Sequence, residues 1–247
     1  NLAGTVGRVM GGLSDELWSR VDRMIVLDNA SSDGTVDEVE AFIDERPHLA
    51  SRIELVRNET NLGYGGSITK GMRIASETCD VAAIMHGDDQ TDWNQLLLDL
   101  HDRFTAAPAC DIVLASRFCP GSDTSGYSLA RRFGNHFFNR ATTILTGVRM
   151  SDAGTAMIIV RTELLSELPL ESLHQGYMFH PYLNLLLFDG SGTRTAEIPL
   201  VWKDASVDNQ FRLVHYGLGL LRVLLLYGFR RRILRRSPLR ALGINGH

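Results

Sequence analysis

The chain has 247 residues, 44% hydrophobic and 22% charged, with a formal net charge of −4. That is ordinary globular composition, and the length can bury one good core. Three cysteines, Cys79, Cys110 and Cys119, fit neither a metal-ligand spacing nor an even disulfide set, and are expected as reduced thiols of a cytosolic protein.

The charge is uneven. Arg230, Arg231, Arg232, Arg235, Arg236 and Arg240 fall in the last 20 residues, which carry no acid, leaving 19 basic against 29 acidic residues in the rest. An acidic body argues against nucleic acid as the main partner, and a cationic tail asks for an anionic surface. No signal peptide is visible, and no apolar run of about 18 or more residues is free of charge.

Apolar runs alternate with helical patterns. "RMIVLD" (23–28) reads as a strand, followed by a helix from Thr35. "RIELVR" (52–57) is a strand, with a helix over 66–76 behind it; "VAAIM" (81–85) is a strand, with a helix over 93–106. "DIVLAS" (111–116) is the next strand, then a helix over 131–145, a strand at "TAMIIV" (155–160), a helix over 177–188 and a short strand before Pro199. This alternation predicts a mostly parallel sheet with helices on both faces, in which ligands bind at the carboxyl ends of the strands. Asp28, the segment 61–66, the segment 86–90 and Arg117 all fall at such ends.

Three stretches stand out. "DNASSDGT" (28–35) ends a strand with helix-capping residue types and a glycine. "NLGYGGSITKG" (61–71) joins a strand to a helix, and its glycines allow close backbone approach beside a helix N-terminus that favours anions. "MHGDDQTDW" (85–93) exposes Asp88 and Asp89 where an apolar strand stops. Each alone reads equally as a capped turn.

In this order and spacing the stretches resemble the family 2 glycosyltransferases of the GT-A fold, nearest the branch of dolichyl-phosphate mannose synthase and polyprenyl-phosphate glucosyltransferases. The matching segments are 28–35, 61–67, 86–90 and 115–117, with "SDAGTAM" (151–157) in the place of a further family segment. The resemblance covers about residues 1–210, expected as one glycosyltransferase domain, with 211–247 as an amphipathic, arginine-rich tail.

The resemblance implies an inverting, metal-dependent transfer of a hexose from a UDP- or GDP-linked sugar to polyprenyl or dolichyl phosphate. The cation, Mg²⁺ or Mn²⁺, would offset diphosphate charge as the glycosyl bond breaks. Asp88 and Gln90 match its ligand positions, and His86 replaces the usual first aspartate. His86 either ligates, favouring Mn²⁺ over Mg²⁺, or touches the ribose or diphosphate. Asp89 is expected to point elsewhere. Donor contacts are implied at Asp28, Asn29, Ser31, Asp33, Asn61, Gly65, Gly87 and Asp88. Arg117 and Arg131 are candidates for the transferring phosphate, and Arg131, Arg132 and Lys203 for the acceptor phosphate, because guanidinium forks match phosphate oxygens. The alternative for Arg131 and Arg132 is that they are solvated charges at a helix start. Asp152 is a base, or it orients Arg117 or the acceptor, or it caps a turn.

Two departures follow. The family begins with a strand ahead of the segment met here at "NLAGTV", so a central strand is expected to be absent from this sequence. The family's basic segment is met loosely at "WKDASVDNQF" (202–211), with Lys203 and Ser206 as substitutes. The tail suits a helix lying on an anionic membrane, at its cytoplasmic face, or else a core or oligomer-forming helix. The alternatives to a lipid acceptor are a saccharide or small-metabolite hydroxyl, or a non-catalytic sugar-nucleotide-binding protein.

Overall fold

The computed structural model describes residues 1–189, 192–203 and 213–244, with backbone alone at 213–215. Helices α1 (Val6–Gly11) and α2 (Asp15–Arg20) precede strand β1 (Met24–Asp28). Helices α3 (Thr35–Asp44) and α4 (Pro47–Ala50) lead to β2 (Ile53–Arg57), and α5 (Gly63–Thr78) leads to β3 (Val81–Ala83). Then come α6 (Trp93–Thr105), β4 (Ile112–Ser116), α7 (Leu129–Thr146) and β5 (Ile158–Arg161). Helix α8 (Thr162–Ser166), a 3-10 turn (Leu170–Ser172), α9 (Phe179–Phe188) and β6 (Thr195–Pro199) complete the body. Beyond them lie α10 (Leu213–Gly228), a π-helical turn (Phe229–Ile233) and α11 (Pro238–Leu242).

The helix starts are set by local chemistry. Ser14 accepts from the Leu17 N–H, Asp92 from Gln95 and Ser128 from Arg131, each satisfying a first-turn donor. Helix α7 ends on Gly147, whose φ of +83° suits a residue without a Cβ.

The strands form two ladders. β1 and β2 pair in parallel, with Met24 opposite Ile53 and Asp28 opposite Arg57. The second sheet runs β3-β5-β4-β6, with β4 and β6 parallel and β5 antiparallel to both its neighbours. The alternating pattern predicts more parallel pairing than this. The difference arises after β4: the chain leaves at the carboxyl end, passes through α7 and re-enters at that same end, where Asp152 meets Arg117. β5 therefore descends.

β4 is buried along its whole length. Val113 and Ala115 face Trp93, Leu96, Leu100 and Phe104 of α6. Ile112 and Leu114 face Met72 of α5, Leu165 of α8, and Phe179, Leu183 and Leu186 of α9. A strand covered on both faces needs this uninterrupted apolar run. A separate cluster of Val6, Met10, Trp18, Val39, Phe42 and Ile53 holds β1 and β2 to α1–α3. The last helices pack too: Leu220, Leu224 and Tyr227 lie in a cluster with Val148, Met150 and Leu185. The boundary expected at 210/211, with Ser206 and most of 202–211, lies outside the described residues.

β1 and β3 share no ladder. A cavity of about 1390 Å³ lies between them, lined by residues 24–28 on one side and 81–85 on the other, and closed by Val6, Met10, Met72, Ala75 and Phe104. The sequence reading expects a strand to be wanting there, and among the described residues none occupies that position.

Candidate active site

The cavity opens at the carboxyl ends of the strands, where Asp28, Asn29, Ser31, Tyr64, His86, Gly87 and Asp88 line it. The buried Asp28 carboxylate accepts from the Ser31 N–H at 3.2 and 3.3 Å. Asn29 ties this end to the next loop: its Oδ1 accepts from the Leu62 N–H at 2.8 Å, and its Nδ2 donates to Asn61 Oδ1 at 2.8 Å. Asp33 accepts from the N–H groups of Ala3 (3.1 Å) and Thr35 (3.0 Å). The Thr35 hydroxyl and these amides pull its pKa down to about 2. Gly65 lies against the turn before α9, its N–H donating to the Gln175 carbonyl at 2.7 Å. A Cβ there would stand 2.9 Å from Gln175 backbone and from Phe179. The glycine is thus required by the packing of α5 against the turn before α9.

Tyr64, in the first turn of α5, centres the side of the cleft that holds His86. Its hydroxyl meets His86 Nε2 at 3.2 Å, and its ring stacks on Tyr177 with centroids 5.6 Å apart. Its edge faces His180, with centroids 5.5 Å apart. Burial pushes His86 down to about 4, leaving a neutral imidazole at pH 7. Asp88 is raised by burial, and its Oδ1 is buried with no hydrogen-bond partner. Its backbone carbonyl accepts from Trp93 Nε1 at 2.7 Å, which fixes the loop. Asp89 points outward, 3.9 Å from Arg8 on the surface. The Gln90 carbonyl accepts from the Lys203 N–H at 2.8 Å, and Lys203 itself is exposed.

Arg117, just past β4, centres the other side. Asp152 is fully buried, and both its oxygens are taken: Oδ2 by Arg117 Nε at 2.7 Å and the Arg117 N–H at 3.0 Å, Oδ1 by Nη2 at 2.7 Å. The remaining Nη1 donates to Tyr127 Oη at 2.8 Å. Burial works against the Arg117 charge, but Asp152 more than offsets it and raises the pKa above its ordinary value. Arg131 lies 5.9 Å from the centroid of the same Tyr127 ring, so the two arginines converge on one tyrosine. Arg132 is exposed on α7. Tyr216 of α10, pushed up to about 12 by burial, closes this side near Gly154 and Arg117. Burial raises the Tyr64 hydroxyl above its ordinary range, with smaller electrostatic effects from Asp88, which raises it further, and Arg117, which lowers it.

Tyr64, Tyr127, Tyr177, His180 and Tyr216 were not among the residues nominated from sequence. The aromatic residue inside the glycine-rich "NLGYGGS" was the one available signal, since an aromatic in a tight turn needs a reason to be there.

A carboxyl-end cleft with a capped acidic turn, a glycine-rich helix start and an opposed arginine defines an α/β transferase for phosphate-bearing ligands. The model of glycosyl transferase family 2 matches residues 9–168, and the chain belongs to that family of nucleotide-sugar glycosyltransferases. No curated protein matches the chain. Among solved structures it is similar to glucosyl-3-phosphoglycerate synthase from Mycobacterium tuberculosis. The complex with Mn²⁺, UDP and phosphoglyceric acid superposes with TM-score 0.62 at 17% identity, over 100% of this chain and 76% of that one. The UDP complex gives 0.61 at 19%, over 98% and 76%. The complex with Mn²⁺, UDP-glucose and phosphoglyceric acid gives 0.58 at 18%, over 98% and 76%. At such identity the likeness speaks for the GT-A fold. The family match stops short of the polyprenyl-phosphate branch expected from the motifs.

Proposed function

We propose that the protein transfers a hexose from a nucleoside diphosphate sugar, with a divalent cation, to the phosphate of a polyprenyl phosphate, with inversion, at the cytoplasmic face of a membrane. The observation that carries this reading is Asp152. A hydroxyl acceptor needs a base to take its proton, and the carboxylate best placed for that role has both oxygens engaged by Arg117. A phosphate monoester is already anionic near neutral pH. Its oxygen attacks the anomeric carbon directly, the bond to the diphosphate breaks, and the nucleoside diphosphate leaves with the electron pair. No proton has to be removed. Arg117 and Arg131 would hold the attacking phosphate, with Arg132 and Lys203 as outer cations.

The chain fits a cation in one specific way. Asp88 Oδ1 is a buried, unpartnered carboxylate oxygen, the hard donor a divalent ion wants. Among the described residues no group of three or more His, Cys, Asp or Glu is placed to hold an ion alone, so the donor's diphosphate is expected to complete the set. His86 offers at most Nδ1, since Nε2 faces Tyr64, and Gln90 would contribute through its side chain, its backbone carbonyl being taken by the Lys203 N–H. When bound, the cation offsets the charge of the leaving diphosphate. The donor itself would rest on Asp28, Asn29, Ser31, Asp33, Asn61, Gly65 and Gly87.

A second reading, transfer to a hydroxyl of a small phosphorylated acceptor, draws on the phosphoglyceric acid of the structural neighbours. The two separate in one assay: UDP-glucose or GDP-mannose with labelled sugar, given polyprenyl phosphate or 3-phosphoglycerate, with Mn²⁺ or with EDTA. Label should pass into organic solvent with the polyprenyl phosphate and Mn²⁺ only. Label confined to a water-soluble product with 3-phosphoglycerate replaces the lipid acceptor by the second reading.

A further inference from the structure

Helix α7 presents a row of large apolar side chains to solvent: Leu129, Phe133, Phe137 and Ile144, the first two 81% and 77% exposed. Their spacing of four, four and seven residues puts them on one side of the helix. Helix α10 and the π-helical turn after it present a second row, Leu218, Leu225, Phe229 and Ile233, the last 67% exposed. The two rows sit on neighbouring helices running in the same direction. Phe138 packs where a Cβ on Gly217 would fall, and a Cβ on Gly228 would meet the Leu145 carbonyl. Arg232 Nη1 donates to the Ile144 carbonyl at 2.8 Å, joining the ends of the two rows.

The charge around the rows has a single sign. Arg132 and Arg140 lie on α7 and Arg222, Arg232, Arg235 and Arg236 on the second segment, all exposed. Neither 129–146 nor 213–244 contains an aspartate or glutamate. A second copy docked through this face would set arginine against arginine with no carboxylate from either segment to pair them. An anionic lipid surface meets both needs: it accepts apolar side chains below the headgroups and arginines among them. No described helix is long and apolar enough to cross a bilayer, which fits helices lying in the interface.

We infer that α7 and the α10 segment together form one face that lies on an anionic membrane, with α7 as a full partner of the C-terminal arginines. Leu220, Leu224 and Tyr227 of α10 point into the body, so the last helices join the face to the core. Helix α7 begins directly after Tyr127, which holds Arg117. The face therefore starts beside the site, and a membrane-borne phosphate would enter from the edge of that surface. The inference concerns the surface and stands whether or not the acceptor proposed above is correct.

The test is co-sedimentation of the full chain with vesicles of neutral phosphatidylcholine, or with phosphatidylglycerol added, at low and high salt. Binding should require the anionic lipid and weaken with salt. The exposed pair Phe133→Ser with Phe137→Ser should lower binding by about tenfold or more, since two aromatic rings leave the apolar layer. Arg235→Gln with Arg236→Gln should lower it by about fivefold per charge. Thermal unfolding of each variant, both at exposed positions, should match the parent. Equal binding to neutral vesicles, or an α7 pair that binds as the parent does, overturns the inference. So does a dimer in sedimentation velocity that the α7 pair converts to monomer, which would assign the face to a second copy.

Discussion

Arg117 and Asp152 form a buried ion pair at the carboxyl end of β4, on the side of the site proposed to take the acceptor. Their side chains are 14% and 1% exposed, so neither charge is served by water if the other is lost. Removing one member of such a pair costs about 3–5 kcal/mol. Asp152→Asn should therefore lower the urea midpoint as well as turnover. A carboxylate acting only as a base would lose turnover at unchanged stability, and that outcome would reopen a hydroxyl acceptor. His180 makes a second residue-scale prediction. It is buried, and neither ring nitrogen has a hydrogen-bond partner. Burial, with a smaller contribution from His86, pushes its pKa down to about 3. The unfolded chain takes up a proton near pH 6.5 that the folded chain refuses, so stability is present above that pH and is lost as pH falls. Between pH 7 and 5 the loss is about 2 kcal/mol for one such histidine. His180→Phe should flatten that part of the pH dependence in urea titrations at the two pH values; parallel curves for parent and variant would show that other groups set it. Both members of the 117–152 pair were legible in the sequence because each sits in a short motif. Their union was one of several readings open for Asp152, and the structure selects it across 35 positions. His180 escaped notice because its burial depends on how α9 meets α5, which no local pattern records.

At the scale of elements, two glycines of α10 separate packing from propensity. A Cβ on Gly228 would stand 2.0 Å from the Leu145 carbonyl, a fixed backbone atom, while one on Gly219 would meet nothing within 4 Å. Gly228→Ala should push α10 off α7 and lower stability by about 1–3 kcal/mol or more. Gly219→Ala should raise it by up to about 1 kcal/mol, the ordinary gain of alanine over glycine in a helix. Thermal unfolding of the two variants reads the difference, and shifts of the same sign would contradict the close approach. Most helices and strands were legible because hydrophobic period and capping residues are local properties. The strand expected over 81–85 spans Val81–Ala83, with one further hydrogen bond from the Ile84 N–H to the Ile158 carbonyl, before the chain turns into the site. The descending β5 was hidden because direction follows from where the α7 excursion returns, and "TAMIIV" reads the same either way.

For the molecule as a whole, the order of motifs carried the fold class, since a strand–turn–helix series with ligand residues at each strand end admits few architectures. The separation of the sheet into two ladders was anticipated only as a strand wanting, and its energetic meaning comes from the packing. The β1–β2 ladder draws on the cluster around Met10, Val39 and Phe42, whereas the four-stranded sheet has its own two apolar layers. Helix α5 touches both β1 and β3, but among the described residues no hydrogen-bonded ladder crosses the cavity. The 247-residue chain should therefore lack a single cooperative transition. Amides of β1 and β2 should exchange through a cheaper opening than those of β4, and urea unfolding should show two steps. One cooperative transition with uniform protection would refute this. The residues proposed to hold the donor are divided between the halves, Asp28 and Asn29 on one and His86 and Asp88 on the other. A nucleotide that grips both stabilises only the state in which both are folded. Saturating nucleotide with Mn²⁺ should therefore draw the two steps of this 247-residue chain together, so that the ligand would also couple the folding of its two halves.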